Sequence, residues 1–125
     1  MKGRPFHERL SFALAGLKAA WVREVSFRTQ TMFVGAVGIG LLILKPAPIW
    51  WAVVALVCAI VLALELLNSA IEGVIDLLHP GLHPEIKVVK DMVAGAVLAI
   101  SLAAVAIAVA MVVETGPSAW SRWVS

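Results

Sequence analysis

From Met92 to Val113 the chain carries about twenty-two consecutive residues without a formal charge, enough to cross a bilayer as a single helix. Pro46 to Leu64 is uncharged for about nineteen residues and opens with Trp50-Trp51, a pair suited to a membrane interface. Thr29 to Leu44, about sixteen residues, is slightly short of a span, and extending the helix back through Ser26–Arg28 with a snorkelling Arg28 restores the length. Lys45-Pro46-Ala47-Pro48 reads as the tight turn between the first and second spans. The helical pattern of the second run continues to Leu78, where His79-Pro80-Gly81 stops it. The expectation is an all-α membrane protein with spans at about 28–44, 48–78 and 90–113 in a single domain.

Composition closes off the alternatives. Of 125 residues, 62% are hydrophobic and 14% charged, and the mean hydropathy is +0.98. So short a chain folded in water would leave much of that apolar surface exposed. A soluble enzyme with its own nucleotide-binding domain, a disulfide-stapled secreted module and a disordered tail are all excluded. Cys58 has no partner for an internal disulfide and, lying in an apolar run, is expected to act as a small buried hydrophobe. The net charge of +2 and pI near 9.0 are topology signals here, with no nucleic-acid partner expected.

Lys2, Arg4, Arg9, Lys18, Arg23 and Arg28 precede the first span, and Lys87 and Lys90 lie between the second and third. Only Lys45 and Arg122 fall on the other side. The positive-inside rule therefore predicts a cytoplasmic N-terminus and a cytoplasmic His79–Asp91 loop, with Trp120 and Trp123 outside. The first apolar run starts too late for a secretory leader, and none is expected.

Residues at about 6–25 form an amphipathic pattern suited to a helix lying in the membrane surface. Leu10, Leu14, Leu17 and Trp21 share one stripe, and Arg9, Lys18 and Arg23 lie off it. Glu24 breaks the rule by falling on the apolar stripe, with Arg28 four residues on. Those two residues read either as a helix-stabilising pair or as part of a site. Gly95, Ala99 and Ala103, like Ala36 and Gly40, recur at a spacing that lets membrane helices approach closely.

The most informative segment is Glu65-Leu-Leu-Asn68-Ser69-Ala-Ile-Glu72-Gly-Val-Ile-Asp76. At 100° per residue, Glu65, Asn68, Ser69, Glu72 and Asp76 share one stripe about 100° wide, rising about 16 Å along the helix. Emergence of the helix into water accounts for Asp76 and for Glu72. It does not account for Glu65 and Asn68, which have apolar residues on both flanks, where an ionisable group is costly unless paired or used. Carboxylates hold hard divalent cations such as Mg²⁺, which share phosphate oxygens. A carboxylate beside a substrate hydroxyl can take its proton. Lys87, Lys90 and Asp91 face this stripe across the loop, and a lysine near a helix N-terminus suits phosphate. Acids for metal and bases for phosphate point to phosphoryl transfer at the membrane surface. Neither a G-x-x-x-x-G-K-[ST] loop nor a protein-kinase signature is present. His7, His79 and His83 lack metal-ligand spacing, and Met32, Met92 and Met111 suit packing or lipid contact.

Glu65-Leu-Leu-Asn-Ser-Ala-Ile-Glu-Gly-Val-Ile-Asp76, followed by Lys90-Asp91-Met-Val-Ala-Gly-Ala-Val, closely resembles the signature of the small prokaryotic diacylglycerol kinases. Gly16-Leu17-Lys-Ala-Ala-Trp21 and Glu24-Val-Ser-Phe27-Arg28 fit the same pattern, so the resemblance runs from about Leu10 to Ala99. It implies a three-span inner-membrane enzyme with an N-terminal surface helix, forming a homotrimeric bundle and transferring the γ-phosphate of MgATP to the lipid alcohol diacylglycerol. By position it implies Glu65 as general base and Glu24 with Glu72 as ligands of Mg²⁺. It implies nucleotide contacts at Phe12, Glu24, Asn68, Glu72, Asp76, Gly81, Leu82, His83, Lys90 and Asp91. Lipid contacts are implied at Lys18, Trp21, Ser26, Phe27, Arg28, Glu65 and Ala94. Phe12 stands where the family's best-known member has a tyrosine, which keeps stacking and loses a hydrogen bond. The resemblance also implies an ATP contact from an arginine near the N-terminus, and Arg4 and Arg9, which precede the matching stretch, are both candidates for it. Two rivals remain open at this stage, an undecaprenol kinase of the same family and a small oligomeric channel or proton relay lined by Glu65 and Glu72.

Overall fold

The computed structural model describes residues 2–81 and 83–125 and contains four helices among them, α1 (Phe6–Arg23), α2 (Val25–Leu44), α3 (Pro48–Leu78) and α4 (Pro84–Val124). The last three are long and apolar enough to cross a membrane. α3 and α4 pack along one another, α2 lies against both, and α1 crosses to touch α2 and α3.

Leu41, Val54 and Met111 form the centre of packing, with Val37, Leu44, Trp50, Cys58 and Ile107 against them. Cys58 is half-buried there as a free thiol. Most other large apolar side chains lie on the outside, Phe33, Ile39, Leu98 and Leu102 among them at 60–65% exposure. Such a surface in water would be an aggregation hazard, whereas in a bilayer it meets acyl chains or other helices. This is a membrane protein.

Helix ends follow local chemistry. Lys45 closes α2 in the left-handed region (φ 48°), its amide donating to the Leu41 carbonyl at 2.9 Å. Pro48 and Pro84 open α3 and α4, where a missing N–H costs nothing. His83 caps α4 through Nδ1, which accepts from the Glu85 amide at 3.1 Å, and Glu85 sits in the first turn, where the helix dipole favours an acid. His83-Pro84-Glu85 thereby starts the helix at Pro84, ahead of the 90–113 expected from the apolar run. Lys87, Lys90 and Asp91 belong to its first turns, and only His79–His83 separates α3 from α4.

α4 also extends beyond the apolar run, through Glu114 and Pro117 to Val124. A proline inside a helix removes a hydrogen bond and is tolerated only with compensation. Here tertiary contacts flank it. Met111, Thr115 and Ala119 are buried at four-residue spacing, and the Trp50 indole donates to the Glu114 carboxylate. Past the proline, Arg122 donates to the Leu44 carbonyl and the Trp123 indole to the Ile43 carbonyl at 3.1 Å, while the Lys45 ammonium lies 5.7 Å from the Trp123 ring centroid. The end of α4 therefore clasps both sides of the α2–α3 turn and satisfies carbonyls that the end of α2 leaves free.

Candidate functional site

The stripe on α3 begins in a packed environment. Glu65 is 5% exposed, and its Oε2, like Oδ1 of Asn68, is buried without a hydrogen-bond partner among the described residues. Leaving such an atom unpaired costs about 1–3 kcal/mol, more when charged, so a placement of this kind points to use rather than to stability. One and two turns further along α3, Asn68 and Glu72 are half-buried, and Asp76 is exposed near the helix end. The stripe runs from a buried acid to a solvated one.

Glu24 reaches the same region from α1. It sits between two helices in extended backbone (φ −111°, ψ 108°), closing α1 with its amide on the Ala20 carbonyl at 2.8 Å. Its carbonyl accepts the Arg28 amide at 3.2 Å, which starts α2. The helical Glu24–Arg28 pair considered from spacing does not form, because the helix does not run through Glu24. The Arg28 guanidinium turns back and donates to the carbonyls of Trp21 and Val22, at 2.7 and 3.1 Å. Glu24 lines a groove of about 610 Å³ with Gly16, Leu17, Ala20 and Arg23 on one wall and Leu66, Leu67, Ser69 and Ala70 on the other.

A second pocket of about 640 Å³ lies where α3 meets α4. It is lined by Asp76, Lys87, Lys90 and Asp91 together with His79, Gly81 and His83 of the connecting loop. Lys90 Nζ is 2.8 Å from Asp76 Oδ1, and Lys87 Nζ is 2.6 Å from Asp91 Oδ2. The His79 and His83 rings meet edge to face, with centroids 5.8 Å apart. Two ammonium groups held by carboxylates beside an open pocket suit a polyanion, which can take over their donors.

The residues read from the sequence thus fall into three places. Asp76, Gly81, His83, Lys90 and Asp91 converge on the α3–α4 pocket, and Glu24 lines the α1–α3 groove. Glu65, Asn68 and Glu72 lie on the connecting stripe of α3. Leu82 lies outside the described residues. On α1, Phe12, Lys18 and Trp21 are exposed, as are Ser26 on α2 and Ala94 on α4, whereas Phe27 is buried at 5% exposure and serves packing within the chain. Among the lining residues to which the sequence reading assigned no contact are Ser69, Lys87 and His79. Ser69 shares the acid stripe and Lys87 faces it, so both carried a usable signal. His79 carried none beyond its loop.

The donor set fits a hard divalent cation in kind, since Glu24 and Glu72 offer carboxylate oxygens and a bound nucleotide would add phosphate oxygens. In geometry one chain is not a closed cage. Among the described residues no three of the His, Cys, Asp and Glu side chains converge as a metal site.

Known proteins place this arrangement. Residues 11–112 match the family described as prokaryotic diacylglycerol kinase. A diacylglycerol kinase from Synechocystis sp. is 40% identical over 95 residues, covering 75% of this chain and 54% of the relative. Diacylglycerol kinases from Helicobacter pylori and Escherichia coli K12 are 32% and 33% identical, covering 71% and 75% of this chain and 70% and 77% of their own lengths. The chain thus spans about half the length of the Synechocystis relative and over two thirds of the other two. Three apolar helices carrying a stripe of acids, with these matches, define the class as a membrane-embedded member of a lipid-kinase family. The chain belongs to the prokaryotic diacylglycerol kinase family.

Proposed function

We propose that this protein transfers the γ-phosphate of MgATP to the free hydroxyl of diacylglycerol, giving phosphatidic acid and ADP. The observation that carries this reading is Glu65, a carboxylate buried without a partner on the acid stripe of a membrane-spanning helix. The lipid hydroxyl oxygen bonds to the γ-phosphorus as the bond from that phosphorus to the β–γ bridging oxygen breaks. Glu65 accepts the hydroxyl proton, and ADP leaves with the bridging oxygen. The burial of Glu65, 5% exposed, keeps competing water from the proton acceptor. Glu24 and Glu72 would hold Mg²⁺, which when bound would supply charge neutralisation on the phosphates. Lys87 and Lys90 exchange their carboxylate partners for phosphate oxygens, and the His79–His83 loop covers the nucleotide with Gly81. Asn68 orients the reacting groups by hydrogen bonding. Phe12 stacks on the nucleotide, and Lys18, Trp21, Ser26 and Ala94 meet the lipid.

The working unit is a homotrimer in the bacterial inner membrane, with the N-terminus and the His79–His83 loop on the cytoplasmic side, where ATP is found. The excess of Lys and Arg at that end supports the orientation. The incomplete metal site of one chain and its outward apolar faces support the assembly. Diacylglycerol is favoured over undecaprenol because the matching relatives are diacylglycerol kinases. A channel or proton relay leaves the paired lysines of the α3–α4 pocket without a role. Incubation of the purified protein with γ-labelled MgATP and each lipid tests the proposal. Labelled phosphatidic acid is expected, and label on undecaprenol alone, or on neither lipid, contradicts it.

A further inference from the structure

Glu24 owes its position to a break between two helices, and the break has a chemical cause. Had α1 continued, the carbonyls of Trp21 and Val22 would accept the amides of Val25 and Ser26. With Glu24 extended, those amides begin α2 and the two carbonyls are left over. The Arg28 guanidinium supplies the missing donors, one nitrogen reaching both oxygens at 2.7 and 3.1 Å. Its own amide meanwhile donates to the Glu24 carbonyl at 3.2 Å. Arg28 therefore grips the chain on both sides of Glu24.

We propose that Arg28 is a positioning residue for Glu24, stabilising the α1–α2 break that places Glu24 in the lining of the groove between α1 and α3. The role differs from that of a lipid-headgroup ligand, because the guanidinium nitrogen in question is spent on backbone carbonyls. An arginine suits the task, since its donors stay protonated and its apolar stem lies along the helices at the membrane surface. The inference rests on the proposed role of Glu24 as a ligand of the metal on ATP. Removing the donors frees the end of α1, lets Glu24 leave the groove and weakens the hold on Mg²⁺. It makes no demand on the affinity for lipid.

The test uses the full-length enzyme in lipid bilayers, with Arg28→Met keeping the stem and removing the donors, and Arg28→Lys returning one donor nitrogen. At fixed ATP, Arg28→Met is expected to raise the Mg²⁺ concentration for half-maximal rate roughly tenfold, the scale of one lost charge-assisted bond. The KM for diacylglycerol is expected to stay within about twofold, and Arg28→Lys to restore most of the Mg²⁺ response. Hydrogen exchange gives a readout independent of turnover. The Arg23 and Glu24 amides are expected to exchange about tenfold faster in Arg28→Met, with α3 from Glu65 to Asp76 unchanged. A raised lipid KM with unchanged Mg²⁺ response, or wild-type exchange at Arg23 and Glu24, overturns the proposal. Arg28→Gln serves if the methionine variant does not fold. It is expected to shift the Mg²⁺ response in the same direction, and a wild-type response there is equally fatal. Glu24→Gln separates the two levels of the argument. If it shifts the Mg²⁺ response and Arg28→Met does not, only the positioning role fails; if Glu24→Gln itself has no effect, the metal role fails and the inference goes with it.

Discussion

Lys90 on α4 holds Asp76 on α3 across the connecting loop, with Nζ 2.8 Å from Oδ1, so the last acid of the stripe and a phosphate-seeking cation share one pocket. Both side chains are partly solvated, at 35% and 64% exposure, and water screens what they contribute to folding. The pair adds little to the fold, and its proposed role lies in the site. Lys90→Met is therefore expected to leave the melting temperature nearly unchanged while raising the KM for ATP about tenfold or more, because a phosphate oxygen loses a charged donor. Thermal unfolding in detergent and initial-rate kinetics measure the two quantities separately. A large fall in melting temperature with an unchanged KM would reverse the assignment.

Glu72 is half-buried one turn before Asp76. Glu72→Gln removes the proposed hard-cation ligand and keeps the shape, so the Mg²⁺ concentration for half-maximal rate is expected to rise, with partial rescue by excess metal. A Mg²⁺ titration at constant ATP reads this directly. A rate reduced by the same factor at every Mg²⁺ concentration would make Glu72 structural.

The clasp formed by α4 lies beyond residue 112, where the family match ends. Losing the Arg122 and Trp123 donors leaves two carbonyls at the end of α2 without protein partners. At about 1 kcal/mol for each net hydrogen bond, Arg122→Ala combined with Trp123→Phe is expected to cost about 2 kcal/mol of stability. The Mg²⁺ and ATP dependences should remain those of the wild type, because the clasp sits at the end of the bundle away from the acid stripe. Thermal inactivation half-life and substrate titrations check both halves of this prediction.

Mixing two impaired variants, assayed at limiting Mg²⁺ and ATP, tests whether the sites of the proposed homotrimer are shared between chains. Glu24→Gln and Lys90→Leu, co-assembled after proven subunit exchange, are expected to regain activity, since a mixed trimer can contain an intact site built from different subunits. Absence of recovery would assign both residues to a site within one chain.

The fold was legible because uncharged runs of spanning length leave a chain few choices. The ends were less so. α4 starts earlier than its apolar run because His83 and Pro84 begin a helix irrespective of hydropathy, and it ends later because distant partners hold the turns around Pro117. Two of these partners, the carbonyls of Ile43 and Leu44, are not side chains that a sequence displays. The acid stripe was legible from helical periodicity, and Glu24 from its misfit on an apolar face. The destination of Arg28 was not, because the helix break that frees the Trp21 and Val22 carbonyls carries no proline or glycine to announce it.

The central claim is that Glu65 takes the proton from the lipid hydroxyl. Glu65→Gln keeps the side-chain shape and removes the proton acceptor, so the decisive measurement is kcat for diacylglycerol phosphorylation alongside the equilibrium affinity for MgATP in the same preparation. The account predicts a kcat lower by roughly 10²–10⁴-fold with nearly unchanged MgATP affinity. A variant that keeps most of the wild-type kcat, or one whose lost activity is matched by lost MgATP binding, contradicts it.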